Sequence, residues 1–135
     1  MSTTITTSNS VLRARSKQET LTTTQDISIN DAGAEFNIAT DAKVLTLPAI
    51  TAENIGAEFT FRNTGADAAN IITISPAATD AIHGTIAAVS SNGADNKDWI
   101  NTKASSKKGD WCTLKAVSLT DWYITGGDGV WASEA

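Results

Sequence analysis

Short apolar stretches separated by turn residues recur along the chain from Gln25 onward. The stretches return about every 8 to 12 positions, and apolar side chains alternate with polar ones within them. A period of two is what a half-buried β-strand requires, because successive side chains point to opposite faces of the sheet. The pattern therefore predicts an all-β fold for residues 25–135, a single antiparallel β-sandwich or barrel of jelly-roll-like type.

Residues 57–62 form the clearest predicted strand. Ala57, Phe59 and Phe61 fall on one face of this strand, and the residues between them are polar. Two other predicted strands each end at a proline, because proline has no N–H to donate to a neighbouring strand. The further strands are predicted at residues 26–30, 35–38, 43–47 (before Pro48), 71–75 (before Pro76), 111–116 and 122–125.

The alanine-rich residues 77–88 have a composition that a helix would tolerate. Gly84 and several β-branched side chains favour a strand or a pair of turns instead. Near the end of the chain, Trp131 follows a glycine-rich segment. An exposed tryptophan in a tail is costly, so we expect Trp131 to be held against the body or against a partner.

The polar residues 89–110 are predicted to form one long loop, because Asn92-Gly93 and Gly109-Asp110 are strong turn signals. A loop longer than about 12 to 15 residues usually carries function or is disordered. This loop is therefore a candidate contact surface. The candidate contacts within it are Lys97, Trp99, Lys103, Lys107 and Lys108.

Residues 1–24 differ from the body and are predicted to form an extended N-terminal arm. Thr and Ser dominate this segment, so it cannot bury enough apolar surface to fold alone. Two interpretations are open, a flexible terminus and an arm that docks on a neighbour, and the basic residues clustered beside two apolar ones favour the second. The candidate contacts in the arm are Thr4, Ile5, Val11, Leu12, Arg13, Arg15 and Lys17.

The composition fits one domain. The chain has 135 residues, of which 41% are hydrophobic and 19% charged, and two domains of half this length would lack the apolar material for separate cores. The first residues lack the basic and apolar regions of a secretory signal, and no apolar run reaches the ~18 residues needed to span a bilayer. We therefore expect a soluble protein that is made in the cytoplasm and has no membrane partner.

The net charge of −5 is unevenly distributed. Arg13, Arg15 and Lys17 against Glu19 give residues 1–20 a charge of +2, which leaves −7 on the remainder. A protein that binds nucleic acid by neutralising phosphates normally has the opposite balance. We therefore expect no nucleic-acid partner and treat the basic arm as distinct from the acidic body.

The residues that could carry catalysis are few. Cys112 is the only cysteine, so no disulfide framework is possible, and we expect it to be a small buried apolar residue. His83 is the only histidine, and no GxSxG nucleophile sequence accompanies it, so we interpret it as a turn residue. We expect no catalytic residues and no enzymatic activity, and a small hydrolase using His83 is the one enzymatic alternative.

Metal and phosphate sites are not indicated either. Zinc would need several Cys or His ligands, and Asp95 and Asp98 lack the residue order of a calcium-binding EF-hand. The glycine-rich residues 126–129 match neither a repeated calcium-binding motif nor a phosphate-binding loop. We expect the chain to use no metal and no cofactor.

Four stretches of sequence resemble a small β-domain that recurs in virion proteins of tailed bacteriophages. The resemblance rests on turn glycines and prolines with alternating apolar residues between them, and it spans roughly residues 43–127. This chain differs by inserting residues 89–110 before the penultimate strand. The matching stretches are VLTLPAIT, IGAEFTFRNTG, NIITISPAATDAIHG and DWCTLKAVSLTDWYITGG.

The resemblance implies two functions from different classes. A short chain with an N-terminal arm and no long shaft is similar to head decoration (cement) proteins, which sit as homotrimers on the capsid exterior and bridge major capsid protein subunits. That reading implies a virion protein made in the host cytoplasm, whose partners are the major capsid protein and copies of itself. The alternative is a tail-fibre, receptor-binding or carbohydrate-binding module, in which Trp99 and Trp111 would stack on sugars.

Overall fold

A computed structural model describes residues 16–135 of the chain. These residues form thirteen short strands and two single 3-10 turns, Ile29–Asp31 and Lys103–Ser105. The strands are β1 (Gln18–Leu21), β2 (Gln25–Asp26), β3 (Glu35–Ile38), β4 (Lys43–Thr46), β5 (Glu58–Asn63), β6 (Ile72–Ser75), β7 (Ala81–His83), β8 (Thr85–Ile86), β9 (Val89–Ser90), β10 (Trp99–Asn101), β11 (Trp111–Ala116), β12 (Asp121–Asp128) and β13 (Trp131–Ser133).

Two sheets pack together, which confirms the predicted all-β sandwich. The six-stranded sheet has the order β1-β3-β5-β11-β12-β7, and the five-stranded sheet has the order β13-β10-β6-β4-β2. A small hairpin of β8 and β9 accompanies them. Large apolar side chains fill the space between the sheets, and most of them are fully buried. The largest are Phe36, Phe59, Phe61, Trp99 and Trp122.

The predicted jelly-roll-like arrangement of antiparallel strands holds for only part of the sandwich, because several strand pairs are parallel. The first six strands alternate between the two sheets, and β1, β2, β3 and β4 each pair in parallel with the strand two positions later in the chain. Because each connection crosses to the opposite sheet, the chain returns to the first sheet running in the same direction. Antiparallel pairing begins only in the second half, where β11 pairs with both β5 and β12. Alternation of side chains predicts strands but carries no information about their relative direction.

Strand β5 has the predicted alternation. Phe59 and Phe61 are fully buried, while Thr60 and Arg62 lie on the outer face. Burying each phenylalanine stabilises the fold by roughly 1.5–3 kcal/mol relative to leaving it exposed. The phenylalanine rings extend into an aromatic cluster, since Phe36 lies 5.4 Å from Phe61 and Phe59 lies 5.8 Å from Trp122 between ring centroids.

Residues 89–110 are not one loop, which corrects the prediction. Trp99 to Asn101 form β10, an interior strand of the five-stranded sheet between β6 and β13. Trp99 is fully buried and stacks on Trp131, which β13 holds against the body. The expectation that Trp131 is held in place is therefore confirmed. Trp99, however, is not available as a surface contact.

The body also begins earlier than predicted. Strand β1 pairs with β3 along its whole length, and Leu21 is buried in the core. Residues 18–21 are therefore an edge strand of the six-stranded sheet rather than part of a separate arm that extends to residue 24. The remaining arm residues 1–15 lie outside the described part of the chain.

Other local differences are small. Residues 77–88 form strands and turns as predicted, and His83 ends β7 instead of lying in a turn. Ile29 belongs to a 3-10 turn and is partly exposed rather than facing the core from a strand. Strand β12 continues past Thr125 through Gly127, where a side chain would collide with Ile86 Cδ1 at 2.4 Å. A glycine inside a strand is thus explained by close packing at this position.

Candidate interaction surfaces

The two ends of the sandwich have different chemistry. One end carries the connections β3–β4, β5–β6 and β10–β11, and we call it the lysine end because Lys103, Lys107 and Lys108 lie there. The other end carries the connections β2–β3, β4–β5 and β11–β12, which expose Ile29, Ile55, Val117 and Leu119. We call these four residues the apolar end.

The lysines of the lysine end form ion pairs with neighbouring connections. Lys103 Nζ lies 2.6 Å from Asp41 Oδ2, and Lys107 Nζ lies 3.6 Å from Asp67 Oδ2. The hydrogen bond from Lys103, together with one from the Ile71 amide, lowers the pKa of Asp41. These pairs are solvent-exposed, so each contributes little to stability, about 0–1 kcal/mol. Their main effect is to hold three connections in one arrangement.

A buried polar network lies beneath the lysine end. Asn101 donates from its Nδ2 to Asp110 Oδ2 and to the Val130 carbonyl oxygen, at 3.1 Å in both cases, and its Oδ1 accepts from Asn63 Nδ2 at 2.8 Å. Asp110 also accepts from the Lys107 amide at 2.9 Å. Because buried polar groups need such partners, this network fixes the connections that carry the lysines.

The predicted loop contacts therefore do not form one surface. Lys103, Lys107 and Lys108 lie together, whereas Lys97 precedes β10 at the opposite end of the sandwich, 3.7 Å from Glu134. Lys108 is exposed, and its backbone amide donates to Asp67 Oδ1 at 2.9 Å. Three of the five predicted contacts are brought together, one is separate and Trp99 is buried.

Of the predicted arm contacts, only Lys17 lies in the described part of the chain. Its Nζ contacts Asp31 Oδ1 at 2.7 Å and Glu19 Oε1 at 3.2 Å. The hydrogen bond to Asp31 is the largest cause of a raised pKa at Lys17. The Lys17 carbonyl oxygen accepts from the Glu35 amide at 2.8 Å, which anchors the chain where it enters β1. The six other arm contacts, Thr4, Ile5, Val11, Leu12, Arg13 and Arg15, lie outside the described residues.

The outer face of the six-stranded sheet carries polar side chains and one half-buried tryptophan. Thr60 and Thr113 share a hydrogen bond of 2.7 Å across β5 and β11. Arg62 contacts Glu35 at 3.2 Å and lies 5.8 Å above the ring of Trp111, which is half-buried. An aromatic ring beside hydrogen-bonding side chains is a surface on which a sugar could stack.

His83, Asp121 and Ser118 lie close together, but their hydrogen bonds are not those of a catalytic triad. His83 Nε2 lies 2.9 Å from Asp121 Oδ1, and Ser118 donates to the other carboxylate oxygen at 2.7 Å. The hydrogen bond from Ser118 is the largest cause of the lowered pKa of Asp121. The Asp121 carboxylate thus accepts hydrogen bonds from both His83 and Ser118. In a catalytic triad the histidine would instead lie between the serine and the carboxylate, so these three residues do not form one.

Cys112 is fully buried, and burial raises the pKa of its thiol. The prediction of a buried apolar cysteine is confirmed.

Among residues 16–135, no three His, Cys, Asp or Glu side chains lie close enough together to hold a metal ion. The same part of the chain contains no helix that is long and apolar enough to cross a bilayer.

Sequence reasoning missed the apolar end. Its signal was present, because Ile55, Val117 and Leu119 occupy turn positions beside Gly56 and Ser118, where polar residues are usual. These side chains were not placed in any predicted strand or assigned any role.

No protein-family model matches the chain, and no curated protein shows significant similarity to it.

Proposed function

We propose that the chain is a structural protein of a tailed-phage virion, a decoration protein that binds the capsid exterior and bridges major capsid protein subunits. The observation that carries the proposal is the junction at Lys17. There a basic, Thr-rich segment leads directly into β1, the edge strand of a closely packed body. An extended arm on a rigid body suits a protein that gains its ordering free energy from a larger surface.

The stretches that carry the phage resemblance support the proposal because they occupy positions that the sandwich requires. Asp80 is buried and accepts from the Ile50 amide at 3.0 Å, which joins the start of β7 to the segment after Pro48. Gly84, directly after β7, has φ +141°, and a side chain there would lie 2.6 Å from Ile124 Cβ. The resemblance therefore rests on residues with structural reasons to be present.

The distribution of charge also supports an arm that acts separately from the body. The body carries −7 and the first 20 residues +2. On the body, Arg62, Lys97, Lys103 and Lys107 each lie within 4.0 Å of a carboxylate. Carboxylates thus neutralise much of the basic charge on the body, and the arm supplies further basic groups.

We further propose that the protein acts as a homotrimer. The outermost strands of the two sheets are β1, β7, β2 and β13, and closed symmetric assembly is one way in which proteins protect the edges of sheets. A light-scattering mass of three chains at micromolar concentration supports this assignment. A monomeric mass under the same conditions overturns the trimer and leaves the arm proposal to be tested separately.

Capsid binding is tested with shells of the major capsid protein encoded in the same phage genome. The full chain is expected to co-sediment with the shells and to add external density in an electron-microscopy reconstruction. Deletion of residues 2–15 retains β1 and should abolish binding while leaving the circular dichroism spectrum of the body unchanged. Undiminished occupancy by the deletion variant overturns the role of the arm, and no binding by the full chain overturns the decoration role.

A charge-matched pair of variants sharpens the test. Arg13→Gln combined with Arg15→Gln removes two positive charges from the arm, and Lys107→Gln combined with Lys108→Gln removes two from the lysine end. We expect only the arm variant to lose most of its capsid binding. Equal losses in both variants would indicate a general charge effect rather than arm docking.

A carbohydrate-binding tail module is the second candidate function. It is favoured by the half-buried Trp111 and its neighbours Arg62, Thr113 and Thr60 on the outer face of the six-stranded sheet. A glycan array should then give a signal that Trp111→Ala removes and Tyr123→Ala retains. A blank array with the full chain eliminates this alternative.

A further inference from the structure

The turn between β9 and β10 lies along the outer edge of β7, the last strand of the six-stranded sheet. Two backbone hydrogen bonds of 2.9 Å hold it there, from the Ser91 amide to the Gly84 carbonyl oxygen and from the Asn96 amide to the Asp80 carbonyl oxygen. One bond lies beyond each end of β7. The residues between the two bonds are therefore fixed opposite the side chains of β7.

This turn contains Asn92-Gly93, the one Asn-Gly sequence in the chain. Gly93 lies against the imidazole of His83, because a methyl group built on Gly93 would be 3.2 Å from His83 Nδ1. Gly93 has φ +77°, and its amide donates no hydrogen bond to another atom of residues 16–135. The Gly93 nitrogen is thus neither shielded by a side chain nor held by an acceptor in this part of the chain.

A carboxylate fixes the orientation of His83. Its Nε2 lies 2.9 Å from Asp121 Oδ1, and because a carboxylate only accepts, Nε2 carries the proton of the neutral imidazole. The unprotonated nitrogen is then Nδ1, the atom that faces Gly93. The ring of Tyr123 packs against the imidazole with 5.5 Å between the centroids. His83 therefore presents a basic lone pair to Gly93.

The Asn92 carboxamide is held beside the same amide nitrogen. Its Oδ1 accepts from the Ala94 amide at 3.2 Å, and its Nδ2 donates to the Glu134 carbonyl oxygen at 3.3 Å. The Ala94 N–H thus points at the oxygen on which negative charge develops when a nucleophile attacks Cγ. Asn92 is exposed, so water can reach the carboxamide and ammonia can leave.

We propose that Asn92-Gly93 is a self-modifying site, where the folded chain converts Asn92 into aspartate and isoaspartate with His83 as the base. His83 Nδ1 takes the proton of the Gly93 amide, directly or through one water. The Gly93 nitrogen forms a bond to Asn92 Cγ, and the carbonyl electron pair moves onto Oδ1. As that pair returns, the Cγ–Nδ2 bond breaks, and Nδ2 leaves as ammonia with the proton from His83. Water then opens the cyclic succinimide at either of its carbonyl carbons, which gives the two products.

The conversion changes how the C-terminal strand is fastened. The Asn92 backbone amide donates to Ser133 Oγ at 2.7 Å, beside the bond from Asn92 Nδ2 to Glu134. In aspartate a carboxylate oxygen replaces the Nδ2 donor, so the Glu134 carbonyl oxygen faces a negative charge in place of a hydrogen bond. The reaction takes place within one free chain, so its outcome is independent of any binding to a capsid.

Incubation of the purified full chain at neutral pH tests the proposal. Mass spectrometry with fragmentation of the tryptic peptide 63–97 measures aspartate and isoaspartate at Asn92, and Asn96 of the same turn is the internal control. We expect Asn92 to convert at least about tenfold faster in the folded chain than in concentrated guanidinium chloride, where His83 no longer lies beside it. A folded rate equal to or below the unfolded rate overturns the proposal. So does formation of aspartate without isoaspartate, which indicates direct hydrolysis.

Two variants separate the role of His83 from the general reactivity of an Asn-Gly sequence. His83→Gln removes the base and should slow conversion in the folded chain at least about tenfold, with no change in guanidinium chloride. Asp121→Asn keeps the imidazole, but its Nδ2 donates to Nε2 and so places the ring proton on Nδ1. This variant should slow conversion by a similar factor.

Asp26→Asn is the matched control, because it removes an exposed carboxylate from β2 and should convert at the parent rate. Circular dichroism and denaturant unfolding establish that each variant is folded during the incubation. A parent-like rate in folded His83→Gln overturns the role of His83. A parent-like rate in Asp121→Asn overturns the tautomer argument, and equal slowing in Asp26→Asn shows a general charge effect that also contradicts it.

Discussion

Trp99 and Trp131 stack with their ring centroids 5.9 Å apart and their planes within 5° of parallel. The two residues lie on β10 and β13, which are adjacent in the five-stranded sheet. Trp131 also donates from its Nε1 to the Asp128 carbonyl oxygen at 3.0 Å. This pair joins the last strand of the chain to the interior of the sandwich, so the C-terminal segment is part of the core.

Trp131→Ala should therefore destabilise the whole domain. Truncating a buried tryptophan costs about 3–5 kcal/mol through lost burial and the cavity left behind, and Trp131 is 2% exposed. Denaturant unfolding followed by circular dichroism measures the loss. Val130→Ala is the control, because Val130 is exposed and its truncation should change the free energy of unfolding by less than about 0.5 kcal/mol. Similar losses in both variants would show that the tail does not depend on the stack.

Asn101→Leu should destabilise the lysine end. The substitution removes the amide that bonds Asp110, Asn63 and the Val130 carbonyl oxygen. Each buried polar group left without a partner costs about 1–3 kcal/mol, so we expect a total loss of at least about 2 kcal/mol in the free energy of unfolding. Asn37→Leu on the outer face is the matched control, because Asn37 is half-buried and its amide bonds only the exposed Gln18 side chain. A loss of under 0.5 kcal/mol at Asn101 would mean that water replaces the missing bonds.

The strands were predictable where side chains alternate over several residues. Residues 57–62 and 111–116 were assigned from such alternation, and the fold places β5 and β11 there as adjacent antiparallel strands. Strand β10 could not be recognised, because three residues in a polar run give no period. The parallel pairing among the first six strands could not be predicted either, since it depends on which sheet each connection reaches.

The candidate surfaces were predictable only in part. The basic arm is visible in the sequence because Arg13, Arg15 and Lys17 are close together along the chain. The pairs Lys103–Asp41 and Lys107–Asp67 join residues that are far apart in sequence. These ion pairs form only when the chain folds. The sequence alone therefore suggested that Lys103 and Lys107 were free to bind a partner, whereas in the fold they are paired with aspartates of the same chain.

Cys112 should not react with thiol reagents in the folded protein. It is fully buried and burial raises the pKa of its thiol, so both access and thiolate formation are suppressed. We expect Ellman's reagent to modify it only as fast as the domain opens, with full reaction in denaturant. Ser118→Cys, in the partly exposed β11–β12 turn, is the positive control and should react within minutes. Rapid reaction of the native chain would show that the core opens locally near β11.

Asp80 gives the domain a pH dependence of defined sign. Burial, only partly offset by the hydrogen bond from the Ile50 amide, raises the pKa of this carboxyl in the folded state. The folded protein therefore holds a proton that the unfolded chain has released, and Asp80 weakens folding as pH rises through the interval above its usual pKa of about 4. Asp80→Asn keeps an oxygen that can accept from Ile50, so the variant should be more stable than the parent at pH 7, and the difference should vanish near pH 3. Urea unfolding of both proteins across this range measures it, with Asp26→Asn as the exposed control, because Asp26 is not among the charges that shift Asp80. A variant that is less stable at pH 7 would show that the charged carboxylate is favoured at this position.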